Sequence, residues 1–227
     1  MIIVHHLENS RSQRILWLLE ELGLPYEVKR YNRDKTTNLA PAELKAVHPL
    51  GKSPVLEDEG EVFAETGAII DHVLDQYAEG KLRPPRGTRE FERYRYWMYA
   101  AEGSYMPPLV FTLFLNRMET APMPFFARPI AKKLVKAVRD GYLDHTMKAQ
   151  YDYLEAALAD APWLAGGDIT AADIIMSFPA EAFSARGSKN QNGGDYPNIA
   201  AYLMRFQARD AYKRALERGG PYALLRA

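Results

Sequence analysis

Residues 6–22 read HLENSRSQRILWLLEEL, and this stretch marks the change from a strand to an amphipathic helix. Residues 2–6 are apolar and rich in β-branched side chains, which favours a short buried strand. From Arg11 onward the apolar residues recur at helical spacing as far as Leu22, and Gly23 then ends the helix. The chain is therefore predicted to open with a strand followed by a helix.

The next segments complete a small unit of mixed strands and helices. Residues 26–31 alternate as a second strand, so the opening is β-α-β, which implies a right-handed crossover and two parallel strands. A short helix is predicted at 41–47, a hairpin at 54–64, and then a helix whose apolar stripe ends at Tyr77. The order β-α-β-α-β-β-α predicts a thioredoxin-like unit.

The second half of the chain shows helical periodicity and no convincing strand. Residues 81–88 are rich in proline and glycine and form the predicted linker between two domains, 1–80 and 89–227. The predicted helices cover about 89–118, 126–160, 171–184, 197–207 and 210–218, with a Gly/Asn-rich loop at 187–195. The expected fold class is an α/β thioredoxin-like N-terminal domain followed by an all-α C-terminal domain.

A capping box is predicted where the helix near residue 171 begins. The hydroxyl of Thr170 can accept from the backbone N–H of Asp173, while the Asp173 carboxylate reaches back to the N–H of Thr170. Such a cap is worth about 0.5–2 kcal/mol, and its expected role is structural.

Composition excludes several classes of function. The 227 residues include 29 Lys or Arg and 29 Asp or Glu, so neither a nucleic acid nor a membrane surface is an expected partner. Cysteine is absent, which excludes disulfides, thiolate metal sites and a cysteine nucleophile. The five histidines lack metal-ligand spacing, so no metal is predicted. The first residues do not resemble a targeting leader, and we expect a cytoplasmic protein.

The turn between the first strand and helix, residues 9–12, is the first candidate site. A helix N-terminus carries about half a positive charge and unpaired N–H donors, which stabilise an anion such as a thiolate. A donor from Asn9 or Ser10 adds a hydrogen bond to the ionised form alone and lowers the pKa of the thiol. The alternative is that Asn9, Ser10 or Ser12 simply caps the helix.

The second candidate site is the segment from Gly51 to Val55. Pro54 begins a strand, and a cis bond before it would aim the main chain of Val55 at an extended peptide ligand. Lys52 would then reach a terminal carboxylate. The alternative is a plain loop with a solvated lysine.

The third candidate site is the helix start at Glu65 and Thr66. Thr66 can donate to a carboxylate at that helix end, and Glu65 can accept from an ammonium beside it, which suits the head of an amino acid. The alternative is a helix cap next to an exposed acid.

These segments together resemble the cytosolic glutathione S-transferase superfamily. The run from His6 to Leu22 is similar to a bacterial and fungal branch of it, and HPLGKSPV at 48–55 and AETGAI at 64–69 are similar to its two other signatures. The resemblance covers the whole N-terminal half, whereas the C-terminal half matches chiefly through the box at Asp173.

The resemblance implies a role for each candidate residue. Ser10 or a neighbour activates the glutathione thiol, and Asn9 stays open because the activating position of several classes falls on it. The cysteinyl backbone pairs with Val55, the glycyl carboxylate meets Lys52, and the γ-glutamyl end is held at the third site. The expected glutathione-binding residues are Ser10, Arg11, Lys52, Ser53, Pro54, Val55, Glu65 and Thr66.

The absence of cysteine narrows the chemistry that the resemblance implies. No mixed disulfide between protein and glutathione can form, so glutathione itself attacks an apolar electrophile, or else a hydroperoxide or a disulfide. Tyr105 and Phe111 are the residues expected to line the apolar substrate pocket, and a homodimer is expected. The alternative is a non-catalytic binding or regulatory protein with the same fold.

Overall fold

The structure is a computed structural model, and it describes residues 1–187, 196–220 and residue 222. Apart from residue 187, the loop predicted at 187–195 lies outside the described residues.

The first unit is a four-stranded sheet with three helices, as the sequence predicts for a thioredoxin-like fold. Its strands are β1 (Ile2–Leu7), β2 (Tyr26–Tyr31), β3 (Val55–Asp58) and β4 (Glu61–Ala64), and its helices are α1 (Gln13–Leu22), α2 (Ala42–Val47) and α3 (Thr66–Tyr77). The strand order is β2-β1-β3-β4. β1 runs parallel to β2 and antiparallel to β3, and β4 pairs antiparallel with β3. The predicted fold class of this unit is confirmed.

The described residues of the second unit form helices joined by turns and loops, and they contain no strand. Its helices are α4 (Arg89–Ala100), α5 (Met106–Thr120), α6 (Arg128–Val138), α7 (Asp144–Ala159), α8 (Ala171–Gly187), α9 (Pro197–Gln207) and α10 (Asp210–Gly219). A π-helical turn at Ala101–Tyr105 joins α4 to α5, and a second at Arg139–Leu143 joins α6 to α7. The two long helices predicted at 89–118 and 126–160 are therefore present, each with a wider turn inside it. Among the described helices, none is long and apolar enough to cross a membrane.

The first π-helical turn stands directly before Pro107 and Pro108. A proline has no N–H, so Pro108 leaves the carbonyl of Ser104, four residues earlier, without its helical donor. The side-chain amide of Gln150 donates to that carbonyl at 3.0 Å. A side chain of α7 thus replaces the hydrogen bond that the proline removes, and it connects this π-helical turn to α7.

Helix α1 packs on both units. Its residues from Ile15 to Leu19 are all fully buried. Trp17 contacts Phe206 of α9 and Tyr212 of α10, with ring centroids 5.3 and 5.2 Å apart. The apolar side chains of the sheet and of the helical unit form one continuous core through this helix. The helix that begins at the first candidate site is therefore packed against side chains of both units.

The cap at the start of α8 differs in part from the predicted box. The Asp173 carboxylate accepts from the N–H of Thr170 at 2.8 Å, as expected, and also from the N–H of Leu164 at 2.9 Å. The Thr170 hydroxyl donates to the same carboxylate, whereas the N–H of Asp173 bonds to the backbone carbonyl of Thr170. Burial raises the pKa of Asp173 to about 6, against the effect of these donors.

Candidate functional site

The three candidate segments converge at the start of α1. The hydroxyl of Ser10 lies 3.5 Å from that of Ser53, which belongs to the second segment. One helical turn further along, the guanidinium of Arg14 donates to the hydroxyl of Thr66 in the third segment at 3.2 Å. The Ser53 hydroxyl in turn donates to the His5 carbonyl of β1 at 3.0 Å. Residues separated by up to 61 positions along the chain, from His5 to Thr66, therefore lie together where the two central strands of the sheet meet the start of α1.

The turn before α1 presents backbone donors rather than a closed cap. Asn9 is exposed and has a φ of 49°, a left-handed conformation that asparagine tolerates better than most residues. Within the described part of the chain, the N–H groups of Ser10 and Arg11 have no hydrogen-bond acceptor. The N-cap residue Ser12 makes no side-chain bond to its own helix. An anion placed here would meet unpaired donors at the positive end of the helix.

Ser10 itself faces the interior. Its side chain is 6% exposed, and its hydroxyl lies 2.7 Å from the hydroxyl of Ser12. The Ser12 hydroxyl is 2.8 Å from Nδ1 of His6, a buried residue of β1. Burial, and then the charge of Arg30, lowers the pKa of His6 to about 4, so this imidazole is neutral at neutral pH. The Ser10 hydroxyl thus belongs to an internal chain of hydrogen bonds that the sequence did not reveal.

Val55 does not offer the free strand edge on which its expected role depends. It is fully buried, with His5 of β1 on one side and Ala64 of β4 on the other. The sequence predicted the hairpin but not that β3 would lie between β1 and β4. The peptide bond between Ser53 and Pro54 is cis. Ser53 precedes the sheet, and its N–H and carbonyl make no main-chain hydrogen bond to another described residue.

A buried arginine that the sequence did not single out lies beside the site. Arg14 is 1% exposed, and its guanidinium donates to the Glu102 carboxylate at 2.5 Å. Arg11 pairs with the other oxygen of Glu102, also at 2.5 Å. Burial opposes the ionisation of Glu102, yet the two guanidinium groups hold its pKa below the ordinary value. Glu102 stands in the first π-helical turn, so this triad joins the two units across the site.

Proline 179 explains how α8 accepts the same arginine. Pro179 lies inside α8 and removes the N–H that would bond to the carbonyl of Ile175, four residues earlier. Arg14 donates to that carbonyl at 2.8 Å, and its guanidinium lies over the ring of Phe178, 5.6 Å from the centroid. A proline within a helical pattern predicts that the carbonyl four residues earlier lacks its helical donor. It does not predict which residue donates to that carbonyl instead.

The charged residues of the second and third segments remain available. Lys52 and Glu65 are exposed, and neither forms an ion pair with any other residue that the structure describes. Glu65 is the N-cap of α3 and has a φ of 69°. Thr66 is buried at the first position of that helix. Among residues 1–187, 196–220 and 222, no group of three His, Asp or Glu side chains could hold a metal ion.

The two aromatic residues expected in an apolar pocket have different environments. Tyr105 is 1% exposed and donates its hydroxyl to the Gln150 carbonyl at 2.7 Å, so it is a core residue in this structure. Phe111 is 47% exposed on α5. Helical spacing predicted the aromatic stripe, but it could not distinguish the side that packs on α7 from the side that faces solvent. The exposed apolar residues of α5 are Val110, Phe111, Phe114 and Met118.

Comparisons with known proteins agree with this arrangement. The family model for the glutathione S-transferase N-terminal domain matches residues 1–75, and the model for the C-terminal domain matches residues 116–210. Glutathione S-transferase 3 of Schizosaccharomyces pombe is 35% identical over 218 residues, which cover 96% of this chain and 88% of that protein. Glutathione S-transferase 1 of Saccharomyces cerevisiae is 32% identical over 226 residues, which cover 96% and 95%.

A solved structure extends the match to three dimensions. A glutathione S-transferase from Actinobacillus pleuropneumoniae is 36% identical, and the match covers 100% of this chain and 97% of that one with a TM-score of 0.80. Both family models and both units of the fold point to the same family, and the relatives match over nearly the full length. The chain belongs to the glutathione S-transferase family.

Proposed function

We propose that this protein is a glutathione transferase, which binds glutathione across the start of α1 and promotes the attack of its thiolate on an apolar electrophile. It acts in the cytoplasm as a homodimer. Family membership and the names of the relatives support the transferase activity. The apolar side chains of α5 and α6 are exposed, which supports a surface in the helical unit that contacts either a second subunit or the apolar substrate.

The observation that carries the proposal is the set of unpaired groups around the first turn of α1. Glutathione is a tripeptide with an amino-acid head, a thiol and a terminal carboxylate. Glu65 and Thr66 suit the head, the N–H groups of Ser10 and Arg11 suit the thiolate, and Lys52 suits the carboxylate. The main chain of Ser53, rather than that of Val55, is then the part that pairs with the cysteinyl residue.

Thiolate stabilisation at this site comes from the helix end together with Asn9. The Asn9 side chain is exposed, whereas the Ser10 hydroxyl is directed into the protein. An amide N–H that donates to the sulfur favours its ionised form, and each 1.4 kcal/mol of such preference lowers the pKa by about one unit. We therefore assign the activating side chain to Asn9 and keep Ser10 as a residue of the supporting turn.

The experiment that tests the function measures binding and turnover separately. The protein is passed over immobilised glutathione, and retained protein is then assayed with an aromatic electrophile, a hydroperoxide and a glutathionylated disulfide. We expect retention and turnover of the aromatic electrophile, with slower turnover of the other two. Retention without any turnover would mean a non-catalytic binding protein, and the absence of retention would contradict the proposed site.

Replacing Asn9 by glycine is expected to lower kcat about tenfold and to raise the pKa of bound glutathione by about one unit. Glycine keeps the left-handed backbone of this position, so the variant deletes the amide without adding strain. The thiolate is followed by its ultraviolet absorbance as the pH is varied. Asn38→Gly is the matched control, since Asn38 is also exposed, with a φ of 59°, and lies outside the three candidate segments. Equal behaviour of the two variants would remove Asn9 from the assignment.

Replacing Glu65 by glutamine is expected to raise the KM for glutathione about fivefold and to leave kcat within a factor of about two. The change removes the charge that pairs with the ammonium group, and that interaction is the same in the ground state and the transition state. Steady-state kinetics with varied glutathione gives both constants. Glu59→Gln is the control, because Glu59 is another exposed glutamate with positive φ. A fall in kcat without a change in KM would contradict the role given to Glu65.

A further inference from the structure

A line of side-chain hydrogen bonds runs from the interior to the turn that carries the backbone donors. His6 Nδ1, the Ser12 hydroxyl and the Ser10 hydroxyl follow one another at 2.8 and 2.7 Å. The Ser10 oxygen also accepts from the N–H of Ser12 at 3.3 Å. All three residues are buried. The line therefore holds residues 10–12 from the interior of the protein, while glutathione would approach from the exposed side.

Each bond of the line joins two groups that can either donate or accept. A neutral imidazole has one N–H and one bare ring nitrogen, so Nδ1 of His6 either donates to the Ser12 hydroxyl or accepts from it. The Ser12 and Ser10 oxygens, 2.7 Å apart, share one proton in the same way. In either direction the Ser10 hydroxyl has partners inside the protein, Ser12 at 2.7 Å and Ser53 at 3.5 Å.

The end of α10 is part of the same arrangement. Gly219 approaches α1 so closely that a Cβ at this position would lie 2.3 Å from Oε1 of Gln13 and 3.0 Å from Leu16. The absence of a side chain lets α10 lie directly against Gln13, the first residue of α1. The last described helix of the second unit therefore packs beside the first turn of α1.

We propose that His6 is a positioning residue of the thiol site: its Nδ1 forms a hydrogen bond with the Ser12 hydroxyl, and thereby holds the turn at residues 10–12 with its N–H groups toward glutathione. This inference rests on the proposed function. His6 does not touch glutathione in this arrangement, and Ser10 acts as a link in the line rather than as the donor to the sulfur. Without a partner at Nδ1, the Ser12 hydroxyl is free to cap its own helix and the turn loses its shape.

Two variants of His6 separate the two bonds of its ring. Asparagine places its amide near the position of Nδ1 and keeps a hydrogen-bond partner for Ser12, whereas glutamine places its polar atoms near Nε2 and leaves Ser12 without that partner. We expect His6→Gln to lower kcat about tenfold and to raise the pKa of bound glutathione by about one unit, with KM for glutathione nearly unchanged. His6→Asn is expected to stay within about threefold of the wild type in kcat.

A second variant removes the other partner of the same bond. Ser12→Ala deletes the hydroxyl that bonds to His6 and is expected to reproduce the effects of His6→Gln. The double variant His6→Gln/Ser12→Ala should be no worse than either single variant, because both remove the same bond. His72→Gln is the control, since His72 bonds to Asp58 far from the turn and should keep wild-type kinetics.

The outcomes distinguish this inference from the proposed function. Equal losses in His6→Asn and His6→Gln, or additive losses in the double variant, would show that His6 has only a structural role and would overturn the inference. An unchanged pKa of bound glutathione in both His6→Gln and Ser12→Ala would overturn it as well. If the wild-type protein neither binds nor turns over glutathione, the proposed function itself fails.

Discussion

Replacing Glu102 by alanine is expected to lower the free energy of unfolding by about 3 kcal/mol. Arg14 is almost completely buried, and Glu102 is the carboxylate that compensates its charge. Removal of one partner of a buried ion pair leaves an uncompensated charge, which costs about 3–5 kcal/mol. We place the loss at the lower end because the carbonyls of Arg11 and Ile175 still accept from the guanidinium. Urea unfolding followed by circular dichroism measures the change.

A surface glutamate provides the matched control for this experiment. Glu92 pairs with Arg95 on the same long helix, but both side chains are more than half exposed. Exposed ion pairs contribute about 0–1 kcal/mol, so Glu92→Ala should change the free energy of unfolding by less than about 0.5 kcal/mol. If Glu102→Ala were as mild as Glu92→Ala, the triad would have no stabilising role and the charge of Arg14 would be compensated elsewhere.

Replacing Trp17 by alanine is expected to cost about 3–5 kcal/mol, a large part of the 5–15 kcal/mol that is typical of a whole protein. The indole is fully buried between the two units, and its N–H donates to the Glu21 carboxylate at 2.8 Å. The deletion leaves a cavity next to Phe206 and Tyr212, and these rings belong to the helical unit. Both units should therefore lose stability together in one unfolding transition.

The shape of the unfolding curve tests this explanation. Near-ultraviolet and far-ultraviolet signals should coincide for Trp17→Ala, since one apolar core connects the sheet and the helices. Trp17→Phe retains one aromatic ring and should cost about 1–2 kcal/mol. Two separate transitions in the alanine variant would show that the units are stabilised independently, contrary to the packing of α1.

The sequence predicted the elements whose signals are local. Helix α1 was expected from Arg11 to Leu22 and begins at Gln13, because its apolar spacing and the glycine after it depend on neighbouring residues alone. The two long helices were expected for the same reason. The three candidate segments also proved to be adjacent, as the order of strands and helices in a thioredoxin-like unit requires.

The failures concern contacts between residues that are distant in the chain. Val55 was assigned to an edge because a hairpin does not reveal which strand lies on its other side, and here that strand is β1. Tyr105 was assigned to a pocket because helical spacing does not say which neighbour a ring meets. Arg14 was overlooked because its acceptors, Glu102 and Ile175, come 88 and 161 residues later. No periodic pattern in the sequence indicates which residues at such distances will form hydrogen bonds.

The fit between Arg14 and α8 limits how the two units can be exchanged among related proteins. The guanidinium needs a bare carbonyl inside a helix, and Pro179 is the reason that Ile175 offers one. A chimaera that grafted this sheet unit onto a helical unit with an unbroken eighth helix would leave an arginine donor without its acceptor. We therefore expect a chimaera of two related proteins to be stable when the arginine and the proline come from the same parent.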